Sequence, residues 1–269
     1  MINYFFLPNS YRGIDFAHIT QSLEGLNKAM MENNVNEYFY EDSSFYLTKC
    51  VDGQLLYEKL SGTATLLIKR LLPTMLRRMK HIQEIPDDIA TLNATYDGAW
   101  ANCLWGWFRN EDRNHIRSFD FFSTNRMLIA KDVANGMNFD KISSFLIRKI
   151  QFTDNAIAQI RNLGSGDSFR KVLETICTLD KYNVDSWASG GFRLRVLQEA
   201  YGMNISDESD TVKNAPRLKR QRYFKISDEI GSQYCFLHIK LDSIRIHIYP
   251  EEQEKVIYIA YVGSHLDLP

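Results

Sequence analysis

Apolar residues recur every three to four positions along much of the chain, which is the spacing that places them on one face of a helix. The clearest repeat lies within residues 15–31 and consists of Phe16, Ile19, Leu23, Leu26 and Met30. Asp15 precedes this repeat, at the position where a carboxylate caps a helix. Similar spacing predicts further helices over residues 62–81 (kinked at Pro73), 86–100, 139–162 and 167–180.

A different pattern predicts strands near residue 50. Two β-prone runs, 45–51 and 54–58, flank the dipeptide Asp52-Gly53. A two-residue Asp-Gly connection between such runs is a strong signal for a β-hairpin. We therefore expect a small hairpin within an otherwise helical body.

Three consecutive β-prone runs with short connections end the chain, at 234–240, 243–249 and 255–262. They predict an antiparallel meander. With Leu241 and Asp242 as the first turn, Lys240 pairs with Ser243. One face is then apolar (Cys235, Leu237, Ile239, Ile244, Ile246 and Ile248), and the other carries Phe236, His238, Lys240, Arg245, His247 and Tyr249. In this register His238 lies opposite Arg245. The third run is apolar on both faces, which predicts a strand that is central or covered by a helix.

These elements predict an α+β fold, with a mainly helical N-terminal body, a small hairpin and a C-terminal antiparallel meander. The polar stretch 204–216 is the best candidate for a linker or long surface loop. The predicted organisation is a body over 1–203, this linker, and a basic segment with the meander over 217–269.

Composition narrows the class of protein. The chain has 269 residues, 45% hydrophobic and 24% charged, and a net charge of −1, which excludes a disordered chain and a general polyanion binder. The four cysteines, Cys50, Cys103, Cys177 and Cys235, lack metal-site spacing and predict free thiols in a reducing compartment. No apolar run reaches the roughly 18 residues of a membrane span, and no signal peptide is recognisable, so we expect a cytoplasmic protein without membrane contact.

One segment is locally basic. Residues 212–225 carry six cations and no acid, namely Lys213, Arg217, Lys219, Arg220, Arg222 and Lys225, with Tyr223 and Phe224 among the last of them. Cations neutralise phosphates and aromatic rings stack on unpaired bases, so the segment is a candidate RNA or DNA contact, with Lys240 of the meander added. The alternative is a solvated loop or a segment that pairs with acidic neighbours.

The polar face of the meander is a candidate catalytic surface. Cleavage of RNA by its own 2′-hydroxyl needs a base, an acid and a cation for the phosphate, and His238, Arg245, His247 and Tyr249 can supply these without a metal. The alternative is an ordinary solvated sheet face.

The segment from Arg222 to Leu266 resembles the C-terminal meander of RelE/HigB-type toxins, in its basic lead-in, its 243–249 strand (SIRIHIY) and its 256–265 ending (VIYIAYVGSH). Those proteins are small bacterial ribonucleases, often acting on ribosome-bound mRNA. The resemblance covers about 45 residues of a much longer chain. It implies a bacterial RNA-directed protein, and its finer implication is a metal-independent ribonuclease of toxin or phage-defence type.

The remaining motifs indicate no cofactor and no metal. Nucleotide-binding, nucleophile-elbow and zinc-protease motifs are absent from the sequence. The acidic cluster at 207–210 has the oxygen ligands that Mg²⁺ prefers, but its composition favours a solvated loop. The aromatic-rich stretch 100–122 is a candidate surface for a protein partner, although so many aromatic residues are typical of a core. The alternative function is a non-enzymatic interaction subunit of a defence or mobile-element system.

Overall fold

A computed structural model of the chain describes residues 1–42, 44–49, 53–62, 66–108 and 112–266. The chain divides into two units, Met1–Val133 and Ala134–Pro269. The predicted boundary at 204–216 is therefore wrong, because that stretch lies inside the second unit. The α+β class is confirmed, since helices and strands both occur and the chain ends in an antiparallel meander.

The first unit contains a five-stranded sheet that the sequence did not predict. All its pairings are parallel and the strand order is β3-β2-β1-β4-β5. The strands are β1 (Ile2–Phe6), β2 (Glu37–Glu41), β3 (Lys80–His81), β4 (Ala101–Trp105) and β5 (His115–Ile116). The helices are α1 (Phe16–Met31), α2 (Ser44–Leu47), α3 (Leu56–Gly62), α4 (Leu66–Arg78), α5 (Ile89–Thr95) and α6 (Phe119–Val133).

Helices cover both faces of this sheet, which explains why its central strands show no alternation. All five residues of β1 are buried. Phe5 packs with Leu92 of α5 and Leu104 on one side. On the other side the Trp105 ring lies 5.7 Å from Phe122 of α6. A strand buried on both faces is mostly apolar without alternation, so periodicity does not distinguish it from a helix.

The predicted hairpin near residue 50 is wrong for the residues that the structure describes. Ser44–Leu47 and Leu56–Gly62 are helices, and a single antiparallel bridge joins Lys49 to Leu55. The predicted turn at Asp52 lies outside the described residues.

The second unit contains a five-stranded sheet of order β6-β12-β11-β10-β7 and a separate two-stranded hairpin, β8–β9. The strands are β6 (Ile150–Phe152), β7 (Ile205–Asp207), β8 (Tyr223–Ser227), β9 (Gly231–Tyr234), β10 (Leu237–Leu241), β11 (Ile244–Glu251) and β12 (Val256–Ser264). The helices are α7 (Phe139–Leu146), α8 (Asp154–Asn162), α9 (Asp167–Tyr182), α10 (Leu194–Glu199), α11 (Asp210–Asn214) and α12 (Pro216–Arg220). The meander is β10-β11-β12, and β12 is central as predicted, between β11 and the parallel strand β6.

The register of the meander differs from the predicted one by two residues. Asp242, in the left-handed region at φ 43°, and Ser243 form the turn, so Lys240 pairs with Arg245 and His238 pairs with His247. A shift of two residues keeps every side chain on its face, because side chains alternate with a period of two. The predicted division into two faces holds for β10 and β11. Cys235 is the exception, since it lies before β10 and packs with Ile226 of the hairpin.

Two further segments differ from their predictions. Residues 139–162 are not one helix, because β6 separates α7 from α8; the buried Asp180 carboxylate accepts hydrogen bonds from the backbone N–H groups of residues 148–150 and fixes that connection. The stretch 204–216 is not a linker, because it contains β7, which pairs with β10, followed by α11. No helix in the described part of the chain combines the length and the apolar character needed to cross a bilayer.

Candidate functional site

Four adjacent strands of the second unit align a row of polar side chains on one sheet face. His238 on β10 pairs with Ser206 on β7 and with His247 on β11, and His247 pairs with Tyr261 on β12. Directly paired residues point to the same face of a sheet. The two imidazole rings consequently lie beside each other, with their centroids 5.4 Å apart.

Glu208 continues this row just beyond the end of β7. It lies two residues after Ser206, and its backbone N–H donates to the Phe236 carbonyl, so the β7–β10 pairing extends to it. Its Oε1 accepts a hydrogen bond from Arg222 Nε at 3.0 Å and lies 3.7 Å from His238 Nδ1. Glu208 is 7% exposed and Arg222 1%. An ion pair this deeply buried depends on good geometry, and Arg222 is fixed further because its Nη1 donates to the Leu218 carbonyl.

Burial keeps both histidines neutral near pH 7. It lowers the pKa of His247 to about 4, although the hydrogen bond to the Cys235 carbonyl opposes the shift. It also lowers the pKa of His238; Glu208 opposes this, while the charges of Lys240 and Arg245 add to it. A buried neutral imidazole has one nitrogen that donates and one that carries a lone pair.

The β8–β9 hairpin covers part of this face. The Phe224 ring lies 5.7 Å from His247 and stacks on Tyr261 at 5.6 Å, between centroids. Beside it, Ile226 and Cys235 form a small apolar cluster with Ala260 of β12. The predicted solvated sheet face is therefore wrong for its central part, where His247 is 2% exposed and His238 6%.

The structure brings together two of the four predicted catalytic residues. His238 and His247 are adjacent, but both are buried. Arg245 is half-buried and pairs with Lys240, two positions along the register from the histidines, and its Nη1 donates to the carbonyls of Asp242 and Ile244. Tyr249 lies past an irregularity in the β11–β12 register, where it pairs with Tyr258 and packs on the apolar cluster instead.

The predicted nucleic-acid contacts divide in a similar way. Arg222 is buried against Glu208, so its assignment as a surface contact is wrong. Lys225 forms an ion pair with Asp228, and Lys213 with Asp207. The cations of α12 remain on the surface: Arg217 and Arg220 are exposed, and Lys219 is half-buried.

For Glu208, the central member of the site, the acidic composition of residues 207–210 predicts a solvated surface loop. Its neighbours Asp207 and Asp210 are exposed as that interpretation requires, whereas Glu208 is buried. The available signal was the β-prone Ile205 directly before the run Ser206-Asp207-Glu208, since a short strand there alternates its side chains between two faces.

The aromatic-rich stretch 100–122 lies in the first unit and contributes mainly to its core. Trp105 and Phe122 are fully buried, while Trp107 and Phe108 are half-buried. Among the described residues of this stretch no large apolar side chain is exposed. The arrangement supports the predicted core role of these residues.

No family model, curated protein or solved structure matches this chain. The resemblance of its C-terminal meander to RelE/HigB-type toxins therefore stays a prediction.

Proposed function

We propose that this protein binds single-stranded RNA through a surface of its second unit that we call the basic–tyrosine surface: Arg217, Lys219, Arg220, Tyr223 and Tyr234. The observation that carries the proposal is the contact between its cations and its rings. Lys219 Nζ lies 5.1 Å from the centroid of the Tyr234 ring, and this ring stacks on Tyr223 at 5.3 Å.

Each part of this surface has a function in binding an unpaired strand. Arg217 and Arg220 are three residues apart on α12, so both project from the same side of that helix, where they can neutralise phosphates. Tyr223 is 47% exposed and presents a ring on which a base can stack. Stacking requires a base that is not already paired, which favours single-stranded RNA over a duplex.

The biological setting of the proposal rests on the resemblance to RelE/HigB-type toxins. We place the protein in bacterial toxin or phage-defence systems and in the cytoplasm. The buried thiols of Cys103 and Cys235, which form no disulfide, support a reducing compartment.

Cleavage of the bound RNA without a metal stays a prediction. Burial of His238 and His247 argues against it, because a general base must come within hydrogen-bond reach of the reacting hydroxyl. Incubation with labelled RNA in EDTA tests this point, with the wild type beside His247→Ala. Cleavage by the wild type and its loss in the variant would support a metal-independent ribonuclease. Intact RNA with both proteins would refute cleavage, and RNA binding would then be the proposed function.

Binding is tested by the affinity for a labelled single-stranded RNA at several salt concentrations. We expect affinity to fall steeply with salt, and the slope of log K against log salt to decrease by about 0.7 for each phosphate contact removed. In the double variant Arg217→Ala/Arg220→Ala both contacts are lost. Tyr223→Ala removes one stacking platform, and we expect affinity to fall about 5- to 150-fold.

Arg195→Ala is the matched control, because Arg195 is an exposed arginine of the same unit that pairs with Glu199 on α10. It should leave RNA binding unchanged. Equal losses in all three variants, or no binding by the wild type at low salt, would contradict the proposal and favour the protein-partner alternative.

A further inference from the structure

We propose that Glu208, His238 and His247 form a binding site for one divalent first-row transition-metal ion, such as Zn²⁺. This inference does not depend on RNA binding by the basic–tyrosine surface, which involves other residues. The sequence predicted no metal site, because its three ligands are spread over 40 residues without a recognisable spacing.

The donor set and its geometry carry the proposal. One ligand atom from each residue lies within 4.8 Å of the others. Zn²⁺ bonds of 2.0–2.2 Å separate the ligands of a tetrahedral ion by about 3.4 Å, so small side-chain adjustments close the site. Two imidazoles and one carboxylate are the protein ligands of many catalytic zinc and non-haem iron sites, where further positions stay open for water or substrate.

His247 has the outer contact that a metal-binding imidazole needs. Its Nδ1 lies 3.0 Å from the Cys235 carbonyl, which only accepts hydrogen bonds, so Nδ1 carries the proton. The lone pair is then on Nε2. A ring N–H donated to a backbone carbonyl is the usual way in which proteins orient a histidine ligand.

His238 has a ring nitrogen without a partner. Its Nδ1 is buried and makes no hydrogen bond to any described residue; Glu208 Oε1, at 3.7 Å, is too distant. A buried polar atom without a partner costs free energy, and a metal ion that binds it removes this cost.

Arg222 orients the third ligand from outside the site. Its Nε donates to Glu208 Oε1, as expected for a carboxylate ligand held by an outer contact. The charges of Glu208 and Arg222 cancel, so a bound divalent ion keeps its positive charge and attracts an anion to an open position. Lys240 and Arg245, whose charges act on His238, favour such an anion, for example hydroxide or a phosphate oxygen.

The test is a titration of the full-length protein with Co²⁺ after removal of metals by EDTA and dialysis. Co²⁺ replaces Zn²⁺ in such sites, and in four- or five-coordinate sites it has visible absorption bands. We expect these bands to saturate at one equivalent, Zn²⁺ to displace them, and Zn²⁺ to raise the melting temperature. Absence of the bands in the wild type would overturn the proposal.

Three single variants test the assignment of the ligands: Glu208→Gln, His238→Ala and His247→Ala. In each we expect affinity to fall at least about 100-fold, by analogy with the 10- to 100-fold loss caused by removing an outer contact. Far-UV circular dichroism identifies variants that fail to fold. A variant that fails to fold gives no information about the ligands. The wild-type titration does not depend on the variants, so it can still refute the proposal.

His265→Ala is the matched control, since His265 is an exposed histidine whose charge also acts on His238. It should retain the cobalt spectrum and the one-to-one stoichiometry. Loss of binding in this variant alone, or full binding in folded His238→Ala and His247→Ala, would show that the metal binds elsewhere and would overturn the proposal.

Discussion

Each unit contains a glutamate buried against an arginine, and the two pairs differ in what else surrounds the carboxylate. In the first unit Glu37 accepts hydrogen bonds from Tyr4 Oη at 2.9 Å and Asn34 N at 2.7 Å, in addition to its ion pair with Arg126. In the second unit Glu208 accepts one from Arg222, and next to it stands a buried histidine nitrogen without a partner.

The comparison distinguishes a structural pair from a functional candidate. Both carboxylate oxygens of Glu37 are hydrogen-bonded, and one end of the network, Arg126, reaches solvent with a 20% exposed side chain. The Glu208 carboxylate instead lies beside two buried imidazoles, and among the described residues these three form the one group of metal-ligating side chains that comes within 4.8 Å. Such clusters of buried titratable groups are candidates for binding or reaction.

We expect the largest difference in stability between the two pairs when the arginine of each pair is replaced. Arg222→Met leaves the Glu208 charge buried, and we expect the free energy of unfolding to fall by about 3–5 kcal/mol. Arg126→Met leaves Glu37 with two other donors, and we expect a loss of about 1–3 kcal/mol. Urea denaturation measures both, with the exposed Arg220→Met as a control that should change stability by less than about 0.5 kcal/mol. Equal losses in the two units would remove the distinction.

Deletion of a tyrosine hydroxyl probes hydrogen-bond satisfaction in each unit. Tyr4→Phe removes a donor to the Glu37 carboxylate, and we expect a loss of about 1.5–3 kcal/mol. The matched variant is Tyr234→Phe, because the Tyr234 hydroxyl is buried without a hydrogen-bond partner among the described residues. That variant should be neutral or slightly stabilising in thermal denaturation. A destabilising Tyr234→Phe would reveal a partner for this hydroxyl.

The pH dependence of stability tests the Glu37–Arg126 pair alone. We expect a smaller change in the free energy of unfolding here than from the substitutions above. Burial raises the pKa of Glu37, although Arg126 and the hydrogen bonds oppose it. As pH rises, the unfolded chain releases this proton before the folded protein does, so the contribution of Glu37 to stability is lost as pH rises through the raised pKa. Glu37→Gln lacks this titration. The wild type should therefore lose stability relative to the variant as pH rises above about 4, the ordinary pKa of a glutamate; a constant or opposite difference in urea denaturation would refute the shift.

The smallest effect on stability is expected at the basic–tyrosine surface. Arg217→Ala and Arg220→Ala should each change the free energy of unfolding by less than about 0.5 kcal/mol, because both side chains are exposed. Normal melting curves combined with weaker RNA binding would separate this surface from the buried cluster. A large loss of stability would instead assign these arginines to the fold.

Local signals predicted those elements whose residues satisfy each other nearby in the chain. The helix Phe16–Met31 begins as expected, with the Asp15 carboxylate accepting from the backbone N–H groups of Ala17 and His18. The meander was equally predictable, because short connections join strands whose faces differ in polarity. The predicted register is wrong by two residues, but a shift of two leaves each side chain on its predicted face.

Long-range pairing decided the rest. Strand β1 pairs with segments that begin 35 and 99 residues further along the chain, and no local pattern specifies such partners. Arg222 and Glu208 illustrate the same limit within the candidate site. Their residue types predicted two surface features, a phosphate contact at Arg222 and an acidic loop at Glu208. In the structure both side chains are buried and form one ion pair.

The sequence by itself determined the residue types, the helix starts, the meander and the two faces of its first strands. Only the tertiary structure decided that the histidines are buried, that Glu208 joins them, and that the second unit begins at Ala134. The physical reason is that alternation assigns a side chain to a face, whereas burial depends on what packs over that face. Here the cover includes Phe224, which packs over His247 from a different strand pair.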